Sequence, residues 1–154
     1  FVKAKIIKAS KRNVEHTLMD WEVYPPCIYN ALKRLHSYGT INEIIVTENG
    51  AAFNDSYEED RVDDYKRVKF LQDYIAQVLL AKREGVNVNG YFIWTLLDNF
   101  EWAEGYYPKF GLVNVDFKTQ RRTVKNSGRW YSQFLQNTLS VSKEVWDKEK
   151  YRLI

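Results

Sequence analysis

Gly90-Tyr91-Phe92-Ile93-Trp94-Thr95-Leu96-Leu97-Asp98-Asn99-Phe100-Glu101-Trp102 is an apolar, strand-like run that gives way to a carboxylate between two tryptophans. Upstream, Ile44-Ile45-Val46-Thr47-Glu48-Asn49-Gly50 repeats the plan: a β-branched run, an acid, then a turn. A short β-branched run without polar alternation is the pattern of a strand buried on both faces of a parallel sheet. A charge at the end of such a strand is unfavourable unless something uses it. A sugar uses both partners: its C–H face stacks on an indole and its hydroxyls donate to a carboxylate. The two stretches predict a saccharide site at the ends of parallel strands.

Outward from these strands, Pro25-Pro26 followed by Ile28, Ala31, Leu32 and Leu35 predicts a helix. It starts on prolines suited to a first turn and stops at Gly39 as its C′ residue. A polar, acidic loop spans Asn54 to Asp60. The strongest helical stripe follows, Val68, Leu71, Ile75, Val78 and Leu79, closed by Gly85. Leu112 to Phe117 alternates, with Val113, Val115 and Phe117 on one side, and Lys118-Thr119-Gln120 offers a turn into a hairpin partner at Arg121 to Val124. A last helix carries Trp130, Tyr131, Phe134 and Leu135 on one face, and the segment after Ser140 is polar and loosely held. The order helix, strand, helix, strand, hairpin, helix predicts an α/β architecture. Two strands are too few for a free-standing sheet covered on both faces, so further strands are expected outside this chain.

Catalytic groups of α/β barrels collect at the C-terminal edge of the strands. Both acids follow such an edge. Retaining glycosidases need one ionised carboxylate as nucleophile and a second carboxyl as acid and then base, ~5–5.5 Å apart. Glu48, at the sharp end of a rigid run, is the better nucleophile candidate. The residues leave a plainer reading open for each acid. Glu48 also fits a turn glutamate opposite a lysine, and Glu101 an acid paired with a cation such as Lys109. Trp94 and Trp102 weigh toward a ligand pocket, which is typically aromatic with a few convergent polar groups. Phe110 is either another wall of that pocket or a core ring.

Composition narrows the function classes. At 154 residues with 45% hydrophobic content, the chain can bury a real core and is not a disordered segment. No apolar run approaches the ~18 residues of a membrane span, so no membrane partner is expected. A net charge of +3 is too small to imply a polyanion. Lys3, Lys5, Lys8, Lys11 and Arg12 crowd the first twelve positions, but they read as a solvated terminal loop, with no nucleic-acid recognition motif beside them. The single Cys27 forbids an internal disulfide, and His16 and His36 have no ligand-like partners, so neither metal nor cofactor is expected. Asn54-Asp55-Ser56 matches a glycosylation acceptor, a triplet common enough to arise by chance. The first residue is Phe1, with no apolar signal-peptide core behind it, so the chain is expected to be a processed or truncated piece, its compartment (cytoplasmic or secreted) open.

The quoted stretches carry a resemblance. Val46-Thr47-Glu48-Asn49-Gly50, Gly90 through Trp102, Gly105-Tyr106 and Phe110-Gly111-Leu112 resemble the C-terminal part of family-1 glycoside hydrolases, the retaining β-glucosidases and their relatives. Asp20-Trp21-Glu22-Val23-Tyr24-Pro25 is similar to that family's approach to its sixth barrel helix. Val115-Asp116-Phe117, Lys125-Asn126-Ser127 and Trp130-Tyr131 are similar to its closing segment. The resemblance covers about residues 17 to 136. It implies the C-terminal portion of a (β/α)8 TIM barrel, about strands 7–8 with helices 6–8, incomplete on its own. It divides the chain into a loop or arm (1–16), a barrel segment (17–139) and a tail (140–154). By position, Glu48 corresponds to the catalytic nucleophile, Trp94 to the platform under the sugar, and Glu101 to the acceptor for distal hydroxyls. Trp102 would donate its indole N–H to a neighbouring hydroxyl, and Phe110 would line the same pocket. Relatives acting on 6-phosphorylated sugars replace this acid, and an anion at Glu101 repels phosphate, so a neutral β-glycoside or oligosaccharide is the expected substrate.

The departures are as informative. The family's acid/base lies in a Thr-x-Asn-Glu-Pro motif, and the nearest approach, Asn42-Glu43 before Ile44, is misplaced. Its sugar-binding Gln and His-Trp motifs and its supporting tyrosine have no counterpart either. Asp73-Tyr74 stands where many members carry a histidine, a change read as structural. A whole barrel takes ~250 residues. The chain by itself is therefore expected to be inactive, to need an N-terminal barrel portion as partner, and to self-associate through its open edges. A non-catalytic carbohydrate-binding barrel remnant is the alternative.

Overall fold

The computed structural model describes residues 7–137. Nine elements follow in order: α1 (Pro26–His36), β1 (Ile44–Asn49), β2 (Ser56–Glu58), β3 (Arg61–Asp63), α2 (Tyr65–Arg83), β4 (Val88–Ile93), β5 (Val113–Val115), β6 (Arg122–Val124) and α3 (residues 126–137). Strands β1 and β4 pair in parallel, with Ile44 opposite Val88 and Asn49 opposite Ile93, across the α2 connection. The β5–β6 hairpin forms as its alternation predicts, Val113 opposite Val124. Pro26 opens α1 at a position where its missing N–H is no loss. Gly85, at φ +90°, follows the end of α2 in the left-handed conformation that glycine adopts without a Cβ clash.

Helices cover one face of the parallel pair. Leu32 of α1 and Val78 and Ala81 of α2 pack with Val88, Ile44, Val46 and Tyr91, while Trp130, Tyr131 and Phe134 of α3 join a second cluster around Phe70, Leu71 and Leu112. The interleaved residues point the other way. Ile45 is 49% exposed and Phe92 61%, and Thr47 is exposed beside them. The expectation that these strands are buried on both faces is not met, because among the described residues nothing packs on the second face. The β-branched run instead marks a strand with one helix-covered face and one open face.

Four local expectations need correction. The buried face of α2 is Arg67, Phe70, Leu71, Tyr74, Ile75, Val78 and Ala81, whereas Leu79 is exposed. Hydropathy put Arg67 in solvent, but its charge is paired in the interior, which turns the helix's buried stripe. The acidic loop at 54–60 contains strand β2, antiparallel to β3. On α1 and α3, Ala31, Leu35 and Leu135 are exposed, so Leu32 is the main anchor of the first helix. Finally, α1 ends at His36, and Gly39 lies beyond its C′ position. Lys3, Lys5 and the segment after Ser140 lie outside the described residues.

Candidate functional site

The two acids are placed by backbone. Glu48 is the penultimate residue of β1 and its side chain is exposed. Next to it, the Asn49 carbonyl accepts a hydrogen bond from Trp94 N–H at 3.0 Å, and Asn49 Oδ1 accepts from the Tyr91 hydroxyl at 2.7 Å. Burial raises the Tyr91 phenol well above its ordinary pKa, which keeps it a donor. Gly50 then runs against the other strand end so closely that a Cβ there would lie 1.6 Å from the Trp94 carbonyl oxygen. Glu-Asn-Gly is thus more than turn chemistry: the glycine is required by a close backbone approach.

Beyond β4 the chain makes a long excursion. The Trp94–Thr95 peptide is cis. Leu112 N–H donates to Thr95 O at 2.9 Å and Val113 N–H to Leu96 O at 2.9 Å, so the two arms of the loop are stitched together at its base. At its tip, Glu101 N–H donates to Gly105 O at 2.6 Å around the short 3₁₀ turn Trp102–Glu104. Trp102 sits at φ +45°, a region that bulky residues seldom adopt. The turn holds this ring 82% exposed.

A cleft of about 580 Å³ opens between the two strand ends. That is the size of a typical small-molecule site. Glu48, Trp94, Glu101, Trp102 and Phe110 all line it. The two readings of Phe110 merge, since the ring is 2% exposed and packs 6.1 Å from Trp21 while forming a wall of the cleft. Glu101 is not paired with Lys109, whose ammonium lies 4.4 Å over the Phe117 ring. Among the described residues neither the Glu48 nor the Glu101 carboxylate has an ion pair or hydrogen bond, whereas a third cleft acid, Glu22, pairs with Arg12 at 2.7 Å.

Sequence reasoning missed several neighbours. Trp21 and Glu22, in the approach to α1, line the cleft although neither is among the site residues expected from sequence. Tyr74 lines it too, stacked 4.1 Å from Phe70 and accepting a hydrogen bond from Tyr24 N–H at 3.1 Å. Burial pushes its phenol up to about 12. The phase of α2 read from Arg67 would have found it. Also missed was a buried group of charges. Lys125 Nζ donates to Asp55 (2.7 Å) and Asp98 (2.9 Å), and Arg67 pairs with Asp55 (3.0 Å) and Asp64 (2.5 Å), every side chain 0–1% exposed. Asp64 also accepts from Ser127 N–H at 2.8 Å and from the Ser127 hydroxyl, joining the starts of α2 and α3. Isolated charged letters scattered through a sequence carry no signal for such a cluster.

The cleft lies at the C-terminal ends of adjacent parallel strands, the edge where β/α barrels carry their catalytic loops, with indoles in its wall and two carboxylates that have no partner among the described residues. The family model described as glycosyl hydrolase family 1 matches residues 2–139, and the chain belongs to that family. It is 49% identical over 128 residues to Beta-glucosidase A of Thermotoga maritima, which takes in 82% of this chain and 29% of that one. A solved family 1 β-glucosidase from the same organism superposes with a TM-score of 0.79 at 50% identity, covering 82% of this chain and 29% of that chain. A 6-phospho-beta-galactosidase of Staphylococcus haemolyticus is 39% identical over 136 residues, 86% of this chain and 28% of the relative. The chain thus spans less than a third of the length of these relatives, and its fold is a portion of their TIM barrel.

Proposed function

We propose that this chain forms the last two strands, 7 and 8, of a retaining β-glucosidase barrel with helices 6–8. Glu48 attacks the anomeric carbon of a terminal β-D-glucosyl or related residue. Trp94 is the platform under that sugar, Glu101 and Trp102 hydrogen-bond its distal hydroxyls, and Phe110 closes the pocket. Residues 17–139 are the barrel segment, flanked by an arm (1–16) and a tail (140–154). The observation that carries this reading is the convergence on one cleft of two tryptophans and two carboxylates that have no partner among the described residues. The attack needs a carboxylate oxygen free of a cation, and Glu48 has no ion pair among the described residues. The leaving group needs a proton donor, and no residue of this chain matches the family's acid/base. An N-terminal barrel portion supplies it.

Glu101 also bears on the substrate. Its charge repels a 6-phosphate, so the reading favours a neutral glycoside over the substrate class named for the 6-phospho-beta-galactosidase relative. The open face with Ile45 and Phe92 is where the missing strands pack, and in their absence the chain self-associates.

The test is complementation. The chain is co-expressed with the N-terminal portion of Thermotoga maritima Beta-glucosidase A that lies outside the similarity. Hydrolysis of an aryl β-glucoside, absent from either piece by itself, is expected in the mixture and is lost in Glu48→Gln. With Glu48→Ala, added azide enters from the vacated face and yields an α-glycosyl azide. Turnover by the isolated chain, or full turnover of the Glu48→Gln mixture, overturns the reading. Sugar binding without turnover by any combination favours the binding-remnant alternative.

A further inference from the structure

We propose that the buried charges form a clasp that sets the sugar-binding loop against the nucleophile-bearing turn, with Arg67 and Lys125 as positioning residues. The proposal rests on the functional reading above for its kinetic consequence, and on geometry for the clasp itself. Each cation reaches both sides. Lys125 Nζ donates to Asp55, on the turn that follows Glu48, and to Asp98, on the loop that presents Glu101. Arg67 Nε donates to Ala51 O at 3.2 Å and its Nη1 to Asp55, both on the first side, while its Nη2 donates to Lys109 O on the second. Asp98 Oδ1 in turn accepts from Gly111 N–H at 2.8 Å, tying the loop's outgoing arm to its incoming one.

Stability does not explain this arrangement. Burying charge is unfavourable, and well-packed apolar groups of similar volume often replace a buried ion pair without loss. What apolar packing lacks is direction. Two cations that each hold an acceptor from both segments fix the spacing between them, as a single greasy contact cannot. The segments are already joined at their near end by Trp94 N–H on Asn49 O. The clasp joins them a second time, through Asp55 and Asp98, and Glu48 and Glu101 from the two segments line one cleft. A misplacement of about 1 Å at a reacting centre is enough for a 10²-fold loss of rate.

The experiment has two arms, on Lys125→Met and on the gentler Asp98→Asn, which keeps side-chain shape and an oxygen for Gly111. In the full chain by itself, amide hydrogen exchange is expected to quicken together in residues 50–55 and 95–111, with α1, β1 and β4 still protected. In the complemented enzyme, kcat/KM per active site, counted from the burst of aglycone, is expected to fall about 10²-fold, with KM raised as well as kcat lowered. A purely structural role lowers the number of active sites and leaves both constants per site unchanged, which overturns the proposal. So does faster exchange in one segment only, or in neither. If the unmutated mixture shows no hydrolysis, the functional reading has failed. The clasp then stands or falls on the exchange arm: paired loosening supports it, anything else overturns it.

Discussion

Two sets of acids in this chain contrast. Asp55, Asp64 and Asp98 are sealed in the interior, and each is held by a cation, a backbone N–H or both. Glu48 and Glu101 stand at a cleft a few residues away in sequence, with no cation or donor on their carboxylates among the described residues. The difference separates carboxylates whose oxygens the fold itself takes up from carboxylates that the described residues leave open to the cleft. Burial by itself does not make the distinction, since Glu101 is half-buried and still unpaired. Partnership does.

The comparison breaks most readily at Arg67. Arg67→Met leaves Asp55 and Asp64 buried with one cation fewer, and is expected to destabilise the fold by about 3–5 kcal/mol in urea unfolding. A loss no larger than that of Glu48→Gln would erase the division between the two groups. Next in size is Gly50→Ala, which drives a methyl into the Trp94 carbonyl and should destabilise by about 1–3 kcal/mol while changing Trp94 fluorescence.

Tyr74 gives a pH test between the two regions. Its folded pKa of about 12 lies above the ordinary tyrosine value of about 10. Below pH ~10 the phenol is neutral in both states, and its contribution to stability is complete. As pH rises from about 10 to about 12, the unfolded chain ionises first and stability falls. Tyr74→Phe should flatten that part of the decline in unfolding curves taken across the window. The smallest effect belongs to the cleft: Glu48→Gln and Glu101→Gln are each expected to move stability by no more than about 0.5 kcal/mol. A larger loss would mean that these acids hold the fold together.

The legible part of the molecule was the part written in contiguous residues. Strands β1 and β4, their parallel pairing, the β5–β6 hairpin and the convergence of Glu48 with Trp94, Glu101, Trp102 and Phe110 all rest on runs a few residues long. What stayed hidden was assembled across distance. Arg67 and Lys125 look like solvated surface cations until Asp55 and Asp98 are folded against them. Tyr74 and Trp21 come to the cleft from a helix and a loop distant from it in sequence. That one face of the sheet stands open among the described residues was not legible, because a β-branched run reports strand preference and not what covers each side.

Gly50 has one more consequence. Since the main chain itself touches the Trp94 carbonyl there, the height of the neighbouring carboxylate above the cleft floor is set without any side chain as spacer. Substitutions around the rim can reshape the lining of the cleft while the Glu48 carboxylate keeps its place. A variable lining and a fixed acid then coexist in one cleft, because the two are anchored by different atoms.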